Sequence, residues 1–438
     1  MFGYYLSLGW RSLRRNPILT GLMILTLSVG IAASMSTLTV LHMMSGDPIP
    51  HKSDRLFVPQ FNYGDLRGYD PSEDLSQQVA YREARNLLEA DVGVRRVAVY
   101  GLSGALRTED PEFQAILGNG LAPTRDFFAM FEVPFLHGGV WSVQEEQNAA
   151  DVVVLNRDMA ERLFGRTDVV GERVRMGDDF YKVVGVTDHW LPLPKYYRLI
   201  GGNGGAYYGE EEYFEPFATA VRHEESNSGS NNCNGTAPAP GWQGWLDSDC
   251  TWIQFWFETA SASERQAVID YLNAYVDEQK KLGRFERPTR VAVHDVMEWM
   301  AYLEIVGDDS RISTWLAFGF LLVCLVNTVG LLLAKFTARQ GEIGVRRALG
   351  ASRREIFSQY LIEAAVIGLV GGVSGLLLAF GALALIARQS STLSMVTSMD
   401  WQMLLLTIVL AVVASILAGL LPTWRACQVL PALQLKSQ

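Results

Sequence analysis

Four runs of uninterrupted apolar sequence limit what this chain can become. Residues 18–44 carry no Asp, Glu, Lys or Arg over 27 positions, and comparable runs cover residues 312–334, 364–387 and 403–421. A helix rises 1.5 Å per residue, so the first run extends roughly 40 Å against a hydrocarbon core of about 30 Å. Each run is too apolar on every side for a surface helix. The chain therefore reads as an α-helical membrane protein with four transmembrane helices. A cleavable signal peptide is the rival reading of the first run, but a signal h-region spans only about 7–15 residues.

Charge fixes an expected orientation. Charged residues make up 19% of the chain, below the roughly 25% of globular proteins, and their signs are segregated. Residues 45–311 carry a formal charge of −18 and the two flanks together +8. Arg11, Arg14 and Arg15 precede the first run. Lys335, Arg339, Arg346, Arg347, Arg353 and Arg354 lie between the second and third, and Arg425 and Lys436 follow the fourth. Only Arg388 and Asp400 fall between the third and fourth. Basic loops stay in the cytoplasm, so both termini and the 336–357 loop are expected inside and residues 45–311 outside. An acidic folded domain without a basic stripe also argues against a nucleic-acid partner.

The expected division is an amphipathic cytoplasmic helix over residues 1–17 and a first span over 18–44. An extracytoplasmic domain over 45–311 follows, then a second span over 312–335. The 336–357 loop, a third span over 358–387, a short outer loop over 388–402, a fourth span over 403–421 and a tail over 422–438 complete the chain. The outer domain reads as α+β. Residues 151–155 form a short buried strand, Asn156 caps a helix over 157–164 and Gly165 ends it. Residues 173–176 and 181–186 form a hairpin around Gly177. An amphipathic helix covers 263–282 with Val268, Leu272 and Tyr275 inward, and a closing strand covers 290–294.

Residues 199–250 break this pattern and read as an insertion or long loop, with Trp242, Trp245, Trp252 and Trp256 crowded at its far end. That cluster is either a binding surface or a small core sealing the loop. Cys233 and Cys250 fall in the same stretch, and in an oxidising compartment a bridge between them holds a loop with little core of its own. His223, Glu224 and Glu225 lack a second pair of ligands, so no metal site is expected. The sequence has no G-x-S-x-G, H-E-x-x-H or C-x-x-C pattern and no Gly-Lys dipeptide, which excludes a G-x-x-x-x-G-K-[ST] phosphate loop within these 438 residues.

The loop between the second and third spans is the most distinctive segment. Glu342, Val345, Arg346, Arg347, Ala348 and Leu349 form a short basic helix, broken at Gly350 and Ala351. Ser352 then caps a new helix with Glu355 three residues on, and Arg353 and Arg354 lie in its first turn. Downstream, Glu363 precedes Gly368, Gly371, Gly372 and Gly375, whose spacing leaves a smooth face for close helix packing, within one chain or between two. Glu363, near the cytoplasmic end of its span, is expected to pair with a loop arginine.

This segment resembles the coupling-helix region of FtsX-like/MacB-type ABC transporter permeases. The acid-then-glycine third span resembles the same family, as does the ending Pro422-Thr-Trp-Arg425 with Pro431-Ala-Leu433. Asp126-Phe-Phe, Pro134, Gly138-Gly139, residues 152–164, Val170-Gly171 and Val183-Val-Gly-Val186 resemble the MacB-type periplasmic core. The resemblance implies a permease subunit in the bacterial inner membrane that binds no cofactor itself. A cytoplasmic ABC ATPase dimer holding ATP–Mg would grip the 342–354 segment. Further implied partners are a second permease chain, identical or paralogous, a periplasmic adaptor, an outer-membrane duct and the membrane lipid around the spans. MacB carries its ATPase domain ahead of the first span, and 17 residues precede that span here, so the ATPase is expected to be a separate subunit. The implied role is motion transmission that exports periplasmic cargo. The alternatives are FtsX-like control of cell-wall hydrolases and lipoprotein extraction.

Overall fold

In the computed structural model the first apolar run becomes helix α1, Pro17–Ser45. Proline suits that first position because the N–H it lacks is unpaired in any first turn. The structure describes residues 16–62, 64, 66, 69–71, 75–200, 205–233, 237–388 and 401–427. Nearly all of the expected 1–17 helix and of the 388–402 loop, and residues 428–438 of the tail with the Pro431 motif, lie outside the described residues. The chain divides into two units, Gly46–Ile305 and the segments up to Ser45 and from Val306 onward.

The Gly46–Ile305 unit is mixed α/β. Its first half holds β1 (Leu56–Phe61), β2 (Val79–Ala80), α2 (Tyr81–Leu88), β3 (Arg95–Arg107), β4 (Ile116–Pro123), α3 (Phe127–Met130), β5 (Phe135–Gly138) and α4 (Val143–Gln147). Next come β6 (Val152–Asn156), α5 (Arg157–Phe164), β7 (Arg173–Met176), β8 (Asp179–Thr187), β9 (Tyr213–Phe214), α6 (Phe217–Arg222), β10 (Asn232–Cys233) and α7 (Trp242–Leu246). β11 (Cys250–Glu258), α8 (Arg265–Lys281), β12 (Val291–Asp295) and α9 (Val296–Tyr302) close it.

Local chemistry explains several of these boundaries. The Asn156 side chain accepts from the Met159 N–H at 2.8 Å and so caps α5. Gly165 ends that helix at φ 69°, a left-handed turn that glycine adopts without penalty. β7 and β8 pair antiparallel from Arg173 opposite Lys182 to Met176 opposite Asp179, with Gly177 at the tip.

The sheet runs in the order β12–β1–β11–β3–β4–β9–β6–β8–β5. β9 joins β4 in parallel and β6 antiparallel, so a two-residue strand knits the halves together. Alternate residues face opposite sides of a sheet. Phe57, Tyr100, Val153 and Leu155 accordingly enter one apolar cluster, while Val58, Val99, Val152 and Val154 enter another. α2, α5 and α8 cover the first face with Ala84, Leu87, Met159, Leu163, Val268 and Leu272. α3 and α9 cover the second with Phe127, Met130, Val296 and Trp299.

Both ends of this unit are tied into it. Asp47 accepts from the Ile49 N–H and the Ser53 hydroxyl at 2.9 and 2.7 Å. Buried Lys52 pairs with Glu258 at 2.8 Å and donates to the Met130 carbonyl at 2.7 Å. At the other end, Asp295 and Glu298 form a capping box on α9.

The remaining unit consists of α1, α10 (Asp308–Thr337), α11 (Gln340–Ala348), α12 (Arg353–Ala387) and α13 (Trp401–Cys427). Among the described residues, α1, α10, α12 and α13 are the helices long and apolar enough to cross a membrane. α12 packs against α1 and α13, and α1 packs against α10. The helices run past the expected spans: α10 begins at Asp308, within the expected 45–311 domain, and α13 continues through Pro422 to Cys427 instead of ending at Leu421. Proline removes one helical hydrogen bond but is tolerated in membrane helices, where neighbours satisfy the freed carbonyl. The Pro422-Thr-Trp-Arg425 motif is therefore helical.

Candidate coupling element and its supports

α11 is a short helix suspended between α10 and α12. It ends with the Leu349 N–H donating to the Val345 carbonyl at 3.0 Å and the Ala351 N–H to the Arg346 carbonyl at 3.1 Å. Gly350 takes φ 103°, a backbone conformation that side chains disfavour. Ser352 accepts from the Glu355 N–H at 3.2 Å, and Glu355 accepts from the Ser352 N–H at 2.8 Å, closing a capping box on α12. The chain thus reverses within Leu349–Ser352.

The two sides of this hairpin differ. Ile343 and Ile356 point inward and join Met23, Leu332, Phe336, Tyr360 and Ile367 in a buried cluster. Outward stand Val345, 51% exposed, and Leu349, 84% exposed. Arg346, Ala348, Gly350, Ser352, Arg353 and Arg354 are exposed beside them, while Glu342, Arg347 and Ala351 are half-buried. Arg346 pairs with Glu342 at 2.6 Å and donates to Gln359 at 3.1 Å, which holds the guanidinium on the helix surface. The result is a firmly seated knob with an apolar tip and a basic rim.

Glu363 lies beneath the knob on α12. Its principal partner is Lys335, on the last turns of α10, at 2.6 Å, with Arg339 at 3.7 Å. The expected pairing with a loop arginine is met by Arg339, and Lys335 near the end of α10 adds a shorter contact that the sequence did not suggest. Lys335 and Glu363 both have buried side chains.

Gly368, Gly371, Gly372 and Gly375 of α12 pack within the chain. A Cβ on Gly372 would lie 2.5 Å from the Ala411 Cβ of α13, and one on Gly368 would collide with Ser415. Gly371 meets Leu27 and Gly375 meets Ile31, both on α1. Ser28 donates to the Gly371 carbonyl at 3.0 Å and Ser415 donates to the Ala364 carbonyl at 2.6 Å, contacts that need close backbones.

In the outer unit, Cys233 and Cys250 form a disulfide between β10 and β11. The 199–250 stretch is more than a loop, because it contributes β9 to the centre of the sheet as well as α6 and α7. Nor do its tryptophans form a single group. Trp242 and Trp245 pack against Trp252 on one sheet face, whereas Trp256 packs with Phe131 and Tyr196 on the other. A pairing irregularity between Thr251 and Ile253 accompanies Trp252 on the same face as Ile253.

Sequence reading missed the charges buried here. Glu211 pairs with Lys195 at 2.8 Å and lies 3.6 Å from Arg198, with all three side chains buried. Glu215 is fully buried and neither carboxylate oxygen has a hydrogen-bond partner among the described residues. Burial, then Glu225 and Asp151, push its carboxyl well above the usual range. Glu83 pairs with Arg284, and burial outweighs that partner in raising its pKa. His223 lies between Asp151 at 2.7 Å and Asp179 at 3.2 Å. Among the described residues no cluster of His, Cys, Asp and Glu can hold a metal ion.

Two family models match the chain. The MacB-like periplasmic core domain covers residues 20–275, and the FtsX-like permease C-terminal covers residues 315–431. The chain belongs to the MacB/FtsX-type permease family. The macrolide export ATP-binding/permease protein MacB of Escherichia coli K12 is 24% identical over 391 residues, which is 86% of this chain and 52% of that protein. MacB of Syntrophobacter fumaroxidans is 23% identical over 353 residues, covering 72% of this chain and 47% of that protein. This permease thus spans about half the length of these curated relatives. The periplasmic region of MacB from Actinobacillus actinomycetemcomitans aligns over 58% of this permease and 95% of that chain, with 11% identity and a TM-score of 0.36. The extracellular domain of the transporter YknZ from Gram-positive bacteria aligns over 55% of this permease and 100% of that chain, with 16% identity and a TM-score of 0.34.

Proposed function

We propose that this chain is the transmembrane subunit of an ABC-type complex and passes ATP-driven motion from the cytoplasm to its outer domain. The observation that carries this reading is the α11 knob. Its exposed Val345 and Leu349 with Arg346 suit a cleft on a partner, while buried Ile343 and Ile356 join it to α1, α10 and α12. A push on such an element moves helices instead of being absorbed in a loop.

A separate ABC ATPase dimer would hold ATP–Mg and grip this knob on each of two permease chains. The basic flanks support a cytoplasmic position for both termini and α11, with Gly46–Ile305 on the periplasmic side of an inner membrane. Lys52, Glu258 and the Asp295 cap tie both ends of the outer unit to its sheet, so that unit would respond as a body. The output on this reading is export of periplasmic cargo through an adaptor and an outer-membrane duct.

The test is affinity purification of the chain from its native membrane. A nucleotide-hydrolysing subunit should accompany it, and the Arg346→Glu/Arg347→Glu variant should retain at least tenfold less of that subunit. Undiminished co-purification would contradict the assigned docking surface. Hydrolysis of ATP by the isolated chain would contradict the assignment of catalysis to a partner.

A further inference from the structure

The ion cluster beneath α11 joins three helices at one point. Lys335 lies on the last turns of α10 and Arg339 at the junction into α11. Both approach Glu363 of α12, at 2.6 and 3.7 Å. The Lys335 ammonium also donates to the Thr20 hydroxyl of α1 at 3.4 Å. Lys335 and Glu363 are buried and Arg339 nearly so, within the apolar cluster of Met23, Leu332, Phe336, Tyr360 and Ile367.

Stability alone gives little reason to keep such a group. Removing two charges from water costs about as much as their attraction returns, and apolar side chains of similar volume often serve as well or better. What a buried ion pair supplies and an apolar contact does not is a fixed distance and direction between named atoms. Leucine and methionine surfaces can slide past one another, whereas a lysine–carboxylate contact that slips leaves two buried charges unpaired.

We propose that Glu363 is a positioning residue: held by Lys335 and Arg339, it locks the α10–α11 junction to α12 and α1, so that displacement of the knob reaches α1 as well as α10. α1 and α10 are the two helices whose chain continues directly into the outer domain. The proposal rests on the transmission reading above and deepens it by naming the residues that make the knob stiff.

The test uses the full chain in lipid nanodiscs, with Cys324 and Cys427 replaced by alanine. Spin labels are placed at Gly341→Cys, an exposed position at the start of α11 outside the docking residues, and at Leu25→Cys on α1, 55% exposed. Pulsed dipolar spectroscopy should give one narrow distance in the parent. Lys335→Met/Glu363→Met should at least double the width. Arg339→Met, which keeps the Lys335–Glu363 pair, should broaden it less, and decides the matter if the double variant does not fold. In complex with the ATPase, the double variant should keep ATP turnover within twofold and lose the nucleotide-dependent change in this distance. An unchanged width in the variants would overturn the clamp. A parent chain that recruits no ATPase would instead refute the transmission reading, and the width measured on the chain alone would still decide the clamp.

Discussion

Replacing Gly372 by alanine tests how the third membrane helix uses its glycines. The added methyl would sit 2.5 Å from the Cβ of Ala411, a fully buried residue on α13. Carbon atoms prefer about 3.5–4.0 Å, so the helices must part by roughly 1 Å or distort. Overpacking of this kind costs ~1–3 kcal/mol. Ala411→Gly alone should also destabilise, by about 1 kcal/mol from helix propensity. The two together move one methyl across the contact, and the double variant should be more stable than the sum of the singles by ~1–2 kcal/mol, within the range measured for touching residues. Equilibrium unfolding in mixed micelles titrated with SDS, run on the parent, both singles and the double, measures this coupling. Additive losses, or a neutral Gly372→Ala, would refute intrachain packing at this site. If the glycines served contact between two permease copies, Gly372→Ala would change self-association and Ala411→Gly would not repair it.

Two predictions concern the outer domain. Cys233→Ser/Cys250→Ser opens a loop with a sequence separation of 17 and should lower stability by about 3 kcal/mol on the chain-entropy relation, read from tryptophan fluorescence during urea unfolding; an unchanged midpoint would contradict it. Glu215 has its pKa raised by burial, so its protonated form favours the fold. Its contribution is complete below the ordinary carboxyl range near 4.5 and is lost as pH rises toward the folded value. Glu215→Gln should therefore flatten the fall in melting temperature between pH 5 and 8, and parallel curves for the two proteins would refute that assignment.

Features set by neighbouring residues were legible in the sequence. The four spans follow from apolar run length, the α12 start from Ser352 and Glu355, and the α5 boundaries from Asn156 and Gly165. The knob itself was legible as a basic helix with a break at Gly350, though which residues face outward depends on packing against Met23 and Phe336 from other helices. β9 escaped notice because Tyr213 and Phe214 carry no periodic pattern, and their strand exists only because β4 and β6 leave a slot between them. Trp252 and Trp256 are four residues apart, a spacing that would share a face in a regular strand, and an irregular pairing separates them. Lys195, Arg198 and Glu211 look like solvated surface charges until the fold covers them. Lys335 looks like a topology anchor in the sequence, which shows how near a charge lies to a membrane end and not which helix closes over it.

The pairing of β1 with β12 gives the outer domain an unusual relation to the rest of its chain. Phe57 lies opposite Asp295 and Phe61 opposite Val291, so the strand that enters the domain and the strand that leaves it are direct neighbours, about 5 Å apart. The domain therefore enters and leaves through one narrow doorway in its own sheet. Such an insert can be lengthened, trimmed or exchanged for a foreign one with the same doorway, leaving the α1-to-α10 connection to be bridged by a short linker. One membrane chassis can in this way be refitted with different outer heads over the course of evolution.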